Sequence, residues 1–263
     1  MVAIILCFIE ADGQGDFYIF LSASNDIFNE VNIYTTTYID GYHYYYDVVF
    51  ALLIYPLSFL PLYPVKVFWL LLNVLFTIRL WKIISFYLPT TSFNENKKRL
   101  FTLVSFVFIF TLWLKNIHLS QMTIFILYLS LEGVFQIHNK KLLLGCLLIA
   151  MGISIKILPL FLVPYFLFRR NFKASFMILG ILALLLIVPG LVIGFDYNLF
   201  LLQERWTIIN PLNSEHVLDV QERSFQSLTT LLSILFVENA YTPYSLELKR
   251  NLFNVSLDTL KII

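Results

Sequence analysis

Long apolar runs separated by short polar turns dominate this chain of 263 residues. Several of the runs hold roughly 15 to 22 residues, which is about the length of helix that crosses a bilayer. Segments in lipid fold as helices because each backbone polar group must find its partner within the protein. The pattern therefore predicts an all-α, polytopic bundle of transmembrane helices. Its apolar segments are 48–62, 65–88, 100–114, 122–137, 142–155, 157–168 and 174–195.

Two polar stretches interrupt this series and predict segments outside the membrane. The first runs from Glu10 to Asp47, and the second covers residues 196–224. An apolar stub too short to span precedes the first stretch, and one more helix is expected from Phe225. Neither end of the sequence carries a recognisable finishing element. We therefore expect a single membrane domain over residues 1–263 that is cut short at both ends.

Composition agrees with a membrane protein and excludes several function classes. Hydrophobic residues make up 59% of the chain and charged residues 13%, whereas soluble domains are about half apolar and about a quarter charged. Cys7 and Cys146 both lie in apolar runs, so neither a disulfide framework nor a thiolate metal site is expected. The motifs of zinc hydrolases, NTPases and dinucleotide enzymes do not occur in the sequence. We expect no metal, no cofactor and no nucleic-acid partner.

The basic residues indicate which side of the membrane each turn occupies, because short loops rich in Lys and Arg stay in the cytoplasm. Three short turns hold eight of the eighteen basic residues, and the alternate turns hold four. This alternation requires 142–155 and 157–168 to form a hairpin with Lys156 at its tip. The cytoplasmic basic residues are Lys97, Lys98, Arg99, Lys140, Lys141, Arg169, Arg170 and Lys173.

Residues 48–62 decide on which side the first polar stretch lies. The stretch ALLIYPLSFLPLYP carries three prolines and joins the next helix almost without a polar linker. If 48–62 does not span the membrane, residues 10–47 are extracytoplasmic; if it spans, they are cytoplasmic. Seven acidic residues and no Lys or Arg between 10 and 47 favour the outside. We expect a multi-pass protein of the cell (inner) membrane whose two polar loops, 10–47 and 196–224, are extracytoplasmic.

Carboxylates and tyrosines concentrate in the first loop, which holds seven of the fifteen tyrosines. Such groups suit a sugar, whose C–H groups stack on rings and whose hydroxyls donate to acids. An aromatic belt at the membrane interface is the alternative explanation for the tyrosines. Asp16 follows the apolar stub directly and lies at the membrane surface, where an ionised carboxylate can act as a general base. A solvated loop residue or a helix N-cap is the alternative for Asp16.

Polar residues at the turns between apolar segments form a second group of candidates. Ionisable groups at membrane depth are costly and usually face a cavity or a pathway. Lys156 is therefore the candidate for binding a lipid phosphate or diphosphate, with snorkelling to the interface as the alternative. The candidate substrate-binding residues are Lys156, Gln121, His118, Lys115 and Asp47.

Four stretches of sequence carry a family resemblance. They are GDFYIFLSASNDIFNEVNIY, YYYDVVFALLIYPLSFLPLYPVKVFWLLLN, HLSQMT and LLLGCLLIAMGISIKILPLFLVPYFLFRRNFK. In this order they resemble glycosyltransferase family 87, the polyprenyl-phosphate-mannose-dependent transferases among the C-type membrane glycosyltransferases. The resemblance covers about residues 15–235. It implies a transmembrane helical bundle of the C-type glycosyltransferase kind with an extracytoplasmic first loop.

The resemblance also implies a reaction. A sugar, preferentially mannose, would pass from a polyprenyl-phosphate donor to a lipid or glycan acceptor with inversion, among membrane lipids. Asp16 falls where the family has its catalytic aspartate, and Gln121 falls on the family's loop glutamine. We add the inference that Lys156 steadies the departing phosphate.

Two other function classes remain open from the sequence. In a transporter or flippase, Lys156 and His118 would line a pathway and the acidic loop would act as a gate. Such a protein is expected to show an internal repeat with interrupted helices, and none is evident. In a structural membrane protein, neither the aspartate nor the polar turns would carry chemistry.

Overall fold

The computed structural model of the protein divides into two compact units, Met1–Leu202 and Gln203–Ile263. In the second unit, the described residues include an isolated parallel bridge between Val237 and Val255. Residues 211–224 of the expected second loop lie outside the described residues, as does most of the helix expected from Phe225. The structure describes residues 2–13, 15–39, 41–88, 94–210, 231–232, 235–237, 252 and 254–255.

The described residues fold as α-helices joined by short turns, which confirms the all-α prediction. Three apolar stretches among them are long enough to cross a membrane: Leu62–Tyr87, Glu95–His118 and Phe172–Ile193. The helices are α1 Val2–Glu10, α2 Asp16–Asp26, α3 Val48–Ile54, α4 Leu62–Tyr87, α5 Glu95–His118, α6 Thr123–His138, α7 Leu142–Ile155, α8 Leu162–Phe168, α9 Phe172–Ile187, α10 Gly190–Ile193 and α11 Phe195–Ile209.

Both polar stretches contain helical structure that their composition did not indicate. In the first, α2 buries one apolar face, including Phe17, Phe20 and Leu21. In the second, residues 196–209 belong to α11 rather than to a loop. Short helices of this kind form because packing one apolar stripe stabilises them, although 5 of the 11 residues of α2 and 6 of the 15 residues of α11 are polar.

Residues 48–62 are too short a helical segment to cross a bilayer. They form α3 followed by a 3-10 turn over Tyr55–Phe59. At 1.5 Å per residue, the seven residues of α3 extend only about 10 Å, against about 30 Å of hydrocarbon. The segment instead folds back on α2, where the Ser58 hydroxyl donates to Asn25 Oδ1 at 2.7 Å. The side of the membrane on which the first loop lies stays a prediction.

Helices α6 and α7 form an antiparallel hairpin with direct backbone contact. A Cβ atom added to Gly145 would lie 2.6 Å from the carbonyl oxygen of Gly133. Small residues at such crossings let two helix backbones approach closely. One face of α7 also packs on α8 and α9 around the buried side chains of Cys146, Ile149, Ala150, Ile153, Leu162, Val163, Phe166, Ala174 and Ile178.

Replacing Gly145 by alanine is expected to lower the apparent free energy of unfolding by about 1 to 3 kcal/mol, because the added methyl group overpacks the crossing. Gly180→Ala is the matched control, since a Cβ at Gly180 meets nothing within 4 Å. Thermal unfolding of both purified variants in one detergent measures the difference. Equal unfolding temperatures for the two variants would argue against the close crossing.

The hairpins sort the turns to two ends of the first unit. The chain reverses again after Lys156, so α8 returns alongside α7 as the sequence predicted. His138 and Arg169 consequently meet at one end, which we call the basic end. Lys156 and the turn before α6 lie at the other end, which we call the Asp16 end.

Candidate functional site

The turn that follows α5 is the foundation of the site. The N–H of Gln121 donates to the Asn116 carbonyl at 3.0 Å. The N–H of Ser120 donates to the Ile117 carbonyl at 3.0 Å, and Ser120 adopts a left-handed φ of 54°. These two bonds form the Schellman pattern, which satisfies the last carbonyls of a helix. The turn therefore offers the Leu119 and Ser120 carbonyls and the Gln121 side chain to other helices.

Asp16 is held against this turn by its backbone. Its N–H donates to the Leu119 carbonyl at 2.9 Å. The Gln121 side chain lies near enough to the Asp16 carboxylate to lower its pKa. Asp16 is also the first residue of α2, where the positive end of the helix dipole favours a negative charge. Two sequence-predicted site residues, Asp16 and Gln121, are thus neighbours.

The electrostatic surroundings of Asp16 suit a general base. Burial raises the pKa of Asp16 above its ordinary value of 3.8, and the neighbouring Gln121 side chain opposes part of that rise. A carboxylate with a raised pKa is a stronger base when it is ionised. Burial and the nearby Asp16 charge raise the pKa of the Tyr46 hydroxyl. Tyr46 therefore stays protonated and keeps an O–H donor close to the carboxylate.

Trp69 joins the turn to α2. Its indole Nε1–H donates to the Ser120 carbonyl at 3.2 Å. Its ring stacks on Phe17, the neighbour of Asp16, with ring centroids 5.4 Å apart and planes inclined by 20°. An edge-to-face contact with Phe125 at 5.6 Å holds the opposite side of the indole. Trp69 therefore fixes the relative position of Asp16 and Gln121.

A second set of contacts holds the linker that precedes Asp16. The buried Lys66 ammonium donates to the backbone carbonyls of Glu10 and Gly13. The Glu10 carboxylate in turn lies 2.7 Å from Nδ1 of His118. These contacts fasten the end of α1 to α4 and α5. His118 thereby acquires a structural partner at the edge of the site.

The other sequence-predicted residues lie farther from this contact. Asp47 is fully buried, and its carboxylate accepts the Val49 N–H at 3.0 Å as the N-cap of α3. Lys115 is exposed on α5. Lys156 is exposed at the tip of the hairpin, at the Asp16 end. Their substrate-binding roles stay predictions.

Packing accounts for part of the tyrosine cluster in the first loop. Tyr34 and Tyr44 are almost fully buried. The Tyr34 hydroxyl donates to the Tyr46 carbonyl at 2.9 Å, and the Tyr44 hydroxyl donates to the Asp47 carbonyl at 2.8 Å. Tyr42 and Tyr45 are exposed. The buried pair belongs to a local core, which neither the belt nor the sugar-binding explanation anticipated.

Sequence reasoning did not identify Lys66, Tyr46 or Gly15 as parts of the site. Lys66 was counted within an apolar segment, although its spacing of three residues from Trp69 puts both on one helix face. Gly15 offered the stronger signal, because a glycine directly before a functional residue often marks unusual backbone geometry. Its φ of 60° and ψ of 170° belong to a region that only glycine adopts without strain.

Gly15→Ala is expected to displace Asp16 from Gln121 and to destabilise the fold by about 1 to 3 kcal/mol, because of the strained backbone. A Cβ at Gly15 would also lie 3.1 Å from the Leu119 carbonyl oxygen. Gly13→Ala is the control, because a Cβ there has its nearest contact at 3.7 Å. Thermal unfolding, together with a crystal or cryo-EM structure of each variant, measures both effects. An unchanged Asp16 position in Gly15→Ala would contradict this expectation.

Comparison with known proteins identifies a family. The sequence model of the family described as Glycosyltransferase family 87 matches residues 44–245. The matched range includes Trp69, Gln121 and Lys156, and it begins after Asp16. No curated protein and no solved structure matches the chain.

Proposed function

Since the chain belongs to glycosyltransferase family 87, we propose that this membrane glycosyltransferase takes its sugar from a polyprenyl-phosphate donor and uses Asp16 as the general base. Mannose is the proposed sugar, and a hydroxyl of a lipid or glycan is the proposed acceptor. The proposal rests on family membership for the reaction class and on the geometry of Asp16 for the residue.

The attachment of Asp16 to the turn after α5, through its N–H on the Leu119 carbonyl at 2.9 Å, is the observation that carries the assignment of the base. A general base must be ionised, positioned and close to the proton that it removes. Asp16 is held by the Leu119 carbonyl and by the stacking of Phe17 on Trp69. Burial raises its pKa, which increases its affinity for the acceptor's proton.

The proposed reaction is a single displacement at the anomeric carbon of the sugar. The Asp16 carboxylate takes the proton of the acceptor hydroxyl while the acceptor oxygen forms a bond to that carbon. The bond between the anomeric carbon and the lipid phosphate oxygen breaks, and the electron pair leaves with the phosphate. Attack opposite to the leaving group inverts the anomeric configuration. The products are the glycoside, the polyprenyl phosphate and a protonated Asp16.

Lys156 is proposed to steady the negative charge on the departing phosphate. A cation near a developing negative charge lowers the barrier more in a water-poor site than in bulk water. Support comes from its exposed position at the tip of the hairpin, at the same end of the first unit as Asp16. The flexible four-carbon stem of lysine gives it reach toward a lipid phosphate.

The function is tested with the purified full chain in proteoliposomes. Radiolabelled mannose is supplied on polyprenyl phosphate in one arm and on a nucleoside diphosphate in the other, with a membrane lipid extract as the acceptor source. We expect label in an acceptor product from the polyprenyl-phosphate arm, with the anomeric configuration inverted. Transfer from the nucleotide arm alone would refute the donor class, and retention of configuration would refute the single displacement.

We also propose that the Asp16 end faces away from the cytoplasm. The positive-inside rule supports this side, because the turns that hold Lys140, Lys141, Arg169 and Arg170 lie at the basic end. The two natural cysteines are buried, so introduced cysteines report cleanly. In intact cells, an impermeant thiol reagent is expected to label Asn29→Cys but not Lys140→Cys. The reverse pattern would overturn the orientation.

A further inference from the structure

A cavity of about 550 Å³ lies at the basic end of the first unit. It is separate from Asp16, because its walls come from the opposite ends of the helices. Tyr87 ends α4, His138 ends α6, and Asn171 precedes α9. The described lining residues are Tyr87, Val134, Ile137, His138, Tyr165, Phe166, Arg169 and Asn171.

The polar part of this lining consists of hydrogen-bond donors and cationic groups. Arg169 carries a permanent positive charge, and His138 can carry one. Tyr87 and Tyr165 each bring a hydroxyl. Asn171 Oδ1 accepts the Ala174 N–H at 3.2 Å, so the amide group of Asn171 has N–H donors to offer. The described lining residues include no carboxylate, and an anion is therefore the ligand that the cavity favours.

The helix ends around the cavity add to its positive character. The cavity lies beside the N-terminus of the 16-residue α9, where free N–H groups and the helix dipole favour an anion. Two Schellman turns, with Lys140 and Arg170 in left-handed conformations, follow α6 and α8 next to the lining residues in the sequence. The nearest acidic residue on α6 is Glu132, whose carboxylate is already engaged by Arg79. A phosphate group matches this arrangement in charge and in hydrogen bonding.

Exposed phenylalanines next to the lining residues favour a lipid phosphate over a soluble one as the ligand. Phe168 is 86% exposed, Phe172 is 55% exposed and Phe86 is 56% exposed. Each adjoins a lining residue in the sequence. Apolar side chains that are exposed in a membrane protein contact acyl chains, while cations at the helix ends lie at the level of the headgroups. The combination fits a molecule with a phosphate at one end and acyl chains at the other.

We propose that this cavity binds the phosphate of an acidic phospholipid headgroup. Arg169 is the principal cation of the site, and the exposed phenylalanines contact the acyl chains of the lipid. The site is distinct from the donor site at the Asp16 end. It would anchor α4, α6 and α8 to one another through a bound lipid.

Lipid retention by the purified full chain tests the proposal. Native mass spectrometry counts phosphatidylglycerol and phosphatidylcholine bound to the wild type and to Arg169→Gln, Arg169→Lys and Arg170→Gln. Arg170 is the matched control, because it is adjacent, equally charged and exposed but does not line the cavity. We expect preference for phosphatidylglycerol in the wild type and in Arg170→Gln. Arg169→Gln is expected to bind it about tenfold more weakly, as for a lost charge-assisted hydrogen bond.

Three outcomes would overturn the proposal. Equal loss in Arg169→Gln and Arg170→Gln would show general surface charge rather than a site. Equal retention of phosphatidylcholine and phosphatidylglycerol would show that the net negative charge of the headgroup does not contribute to binding. Displacement of the lipid by a molar excess of glycerol 3-phosphate would show a site for a soluble phosphate. Arg169→Lys retaining most of the binding would support a role for the charge itself.

Discussion

Asp16→Asn lowers kcat/KM for sugar transfer by about 10²- to 10⁴-fold, which is the usual contribution of a positioned general base. Asparagine has nearly the same shape as aspartate but cannot accept the acceptor's proton. The backbone N–H of residue 16 can still donate to the Leu119 carbonyl, so α2 still begins at this residue. The loss is therefore expected in the chemical step rather than in the fold. Initial rates in proteoliposomes, at matched protein levels, measure it.

Asp12→Asn is the matched control for this loss. Asp12 lies four residues before Asp16, in the same linker, and its side chain is exposed. We expect its rate to stay within about twofold of the wild-type rate, since exposed substitutions away from special features have small effects. Comparable losses in the two variants would indicate that the charge of the loop, rather than the base, supports transfer.

Arg79→Met is expected to destabilise the protein by about 1 to 3 kcal/mol, because it removes two charge-assisted hydrogen bonds from the buried Glu132 carboxylate, which keeps the Gln136 side chain as a donor. Arg79 Nε lies 2.7 Å from Glu132 Oε2, and Nη2 lies 3.0 Å from Oε1. The Glu132 side chain is only 6% exposed, whereas that of Arg79 is 38% exposed. Removing Arg79 therefore leaves the more buried charge, that of the Glu132 carboxylate, without its cationic partner. Chemical or thermal unfolding in detergent measures the loss.

The double variant Arg79→Met with Glu132→Met separates this cause from a simple loss of packing. It is expected to regain most of the stability, because apolar pairs often replace buried ion pairs at little cost. Arg99→Met, at an exposed position on α5, is expected to change stability by less than about 0.5 kcal/mol. A double variant as unstable as Arg79→Met would refute the explanation by the unpaired Glu132 charge.

The sequence predicted α6 and α7 well, because the length of an apolar run largely determines where such a helix begins and ends. The expected 142–155 coincides with α7, and 122–137 differs from α6 by one residue at each end. The hairpin at Lys156 also followed from the alternation of basic turns. These features depend on local composition, which can be determined from a single sequence.

The arrangement of the site depended on contacts that composition does not display. Gln121 and Asp16 meet only because Ser120 takes a left-handed turn that is usually assigned to glycine. The sequence analysis did not identify the apolar face of α2, because α2 lies in a stretch that was assigned as polar. Phe17, Phe20 and Leu21 nevertheless have helical spacing. Asp47 was predicted to bind substrate because of its charge. In the structure its carboxylate accepts the Val49 N–H and caps the N-terminus of α3.

If Asp16 beside Gln121 removes the acceptor's proton, the pH dependence of kcat/KM follows the ionisation of the Asp16 carboxylate. Only ionised Asp16 can act as the base, so kcat/KM falls as the pH drops through the pKa of Asp16. Burial raises that pKa and the Gln121 side chain lowers it. Gln121→Leu removes only the lowering contribution. The pKa therefore rises further in this variant.

The measurement compares the wild type with Gln121→Leu, using a polyprenyl-phosphate sugar donor in proteoliposomes across the acid range. We expect the acid limb of kcat/KM to move to higher pH in Gln121→Leu. An acid limb that stays in place, or that moves to lower pH, would contradict Asp16 as the base.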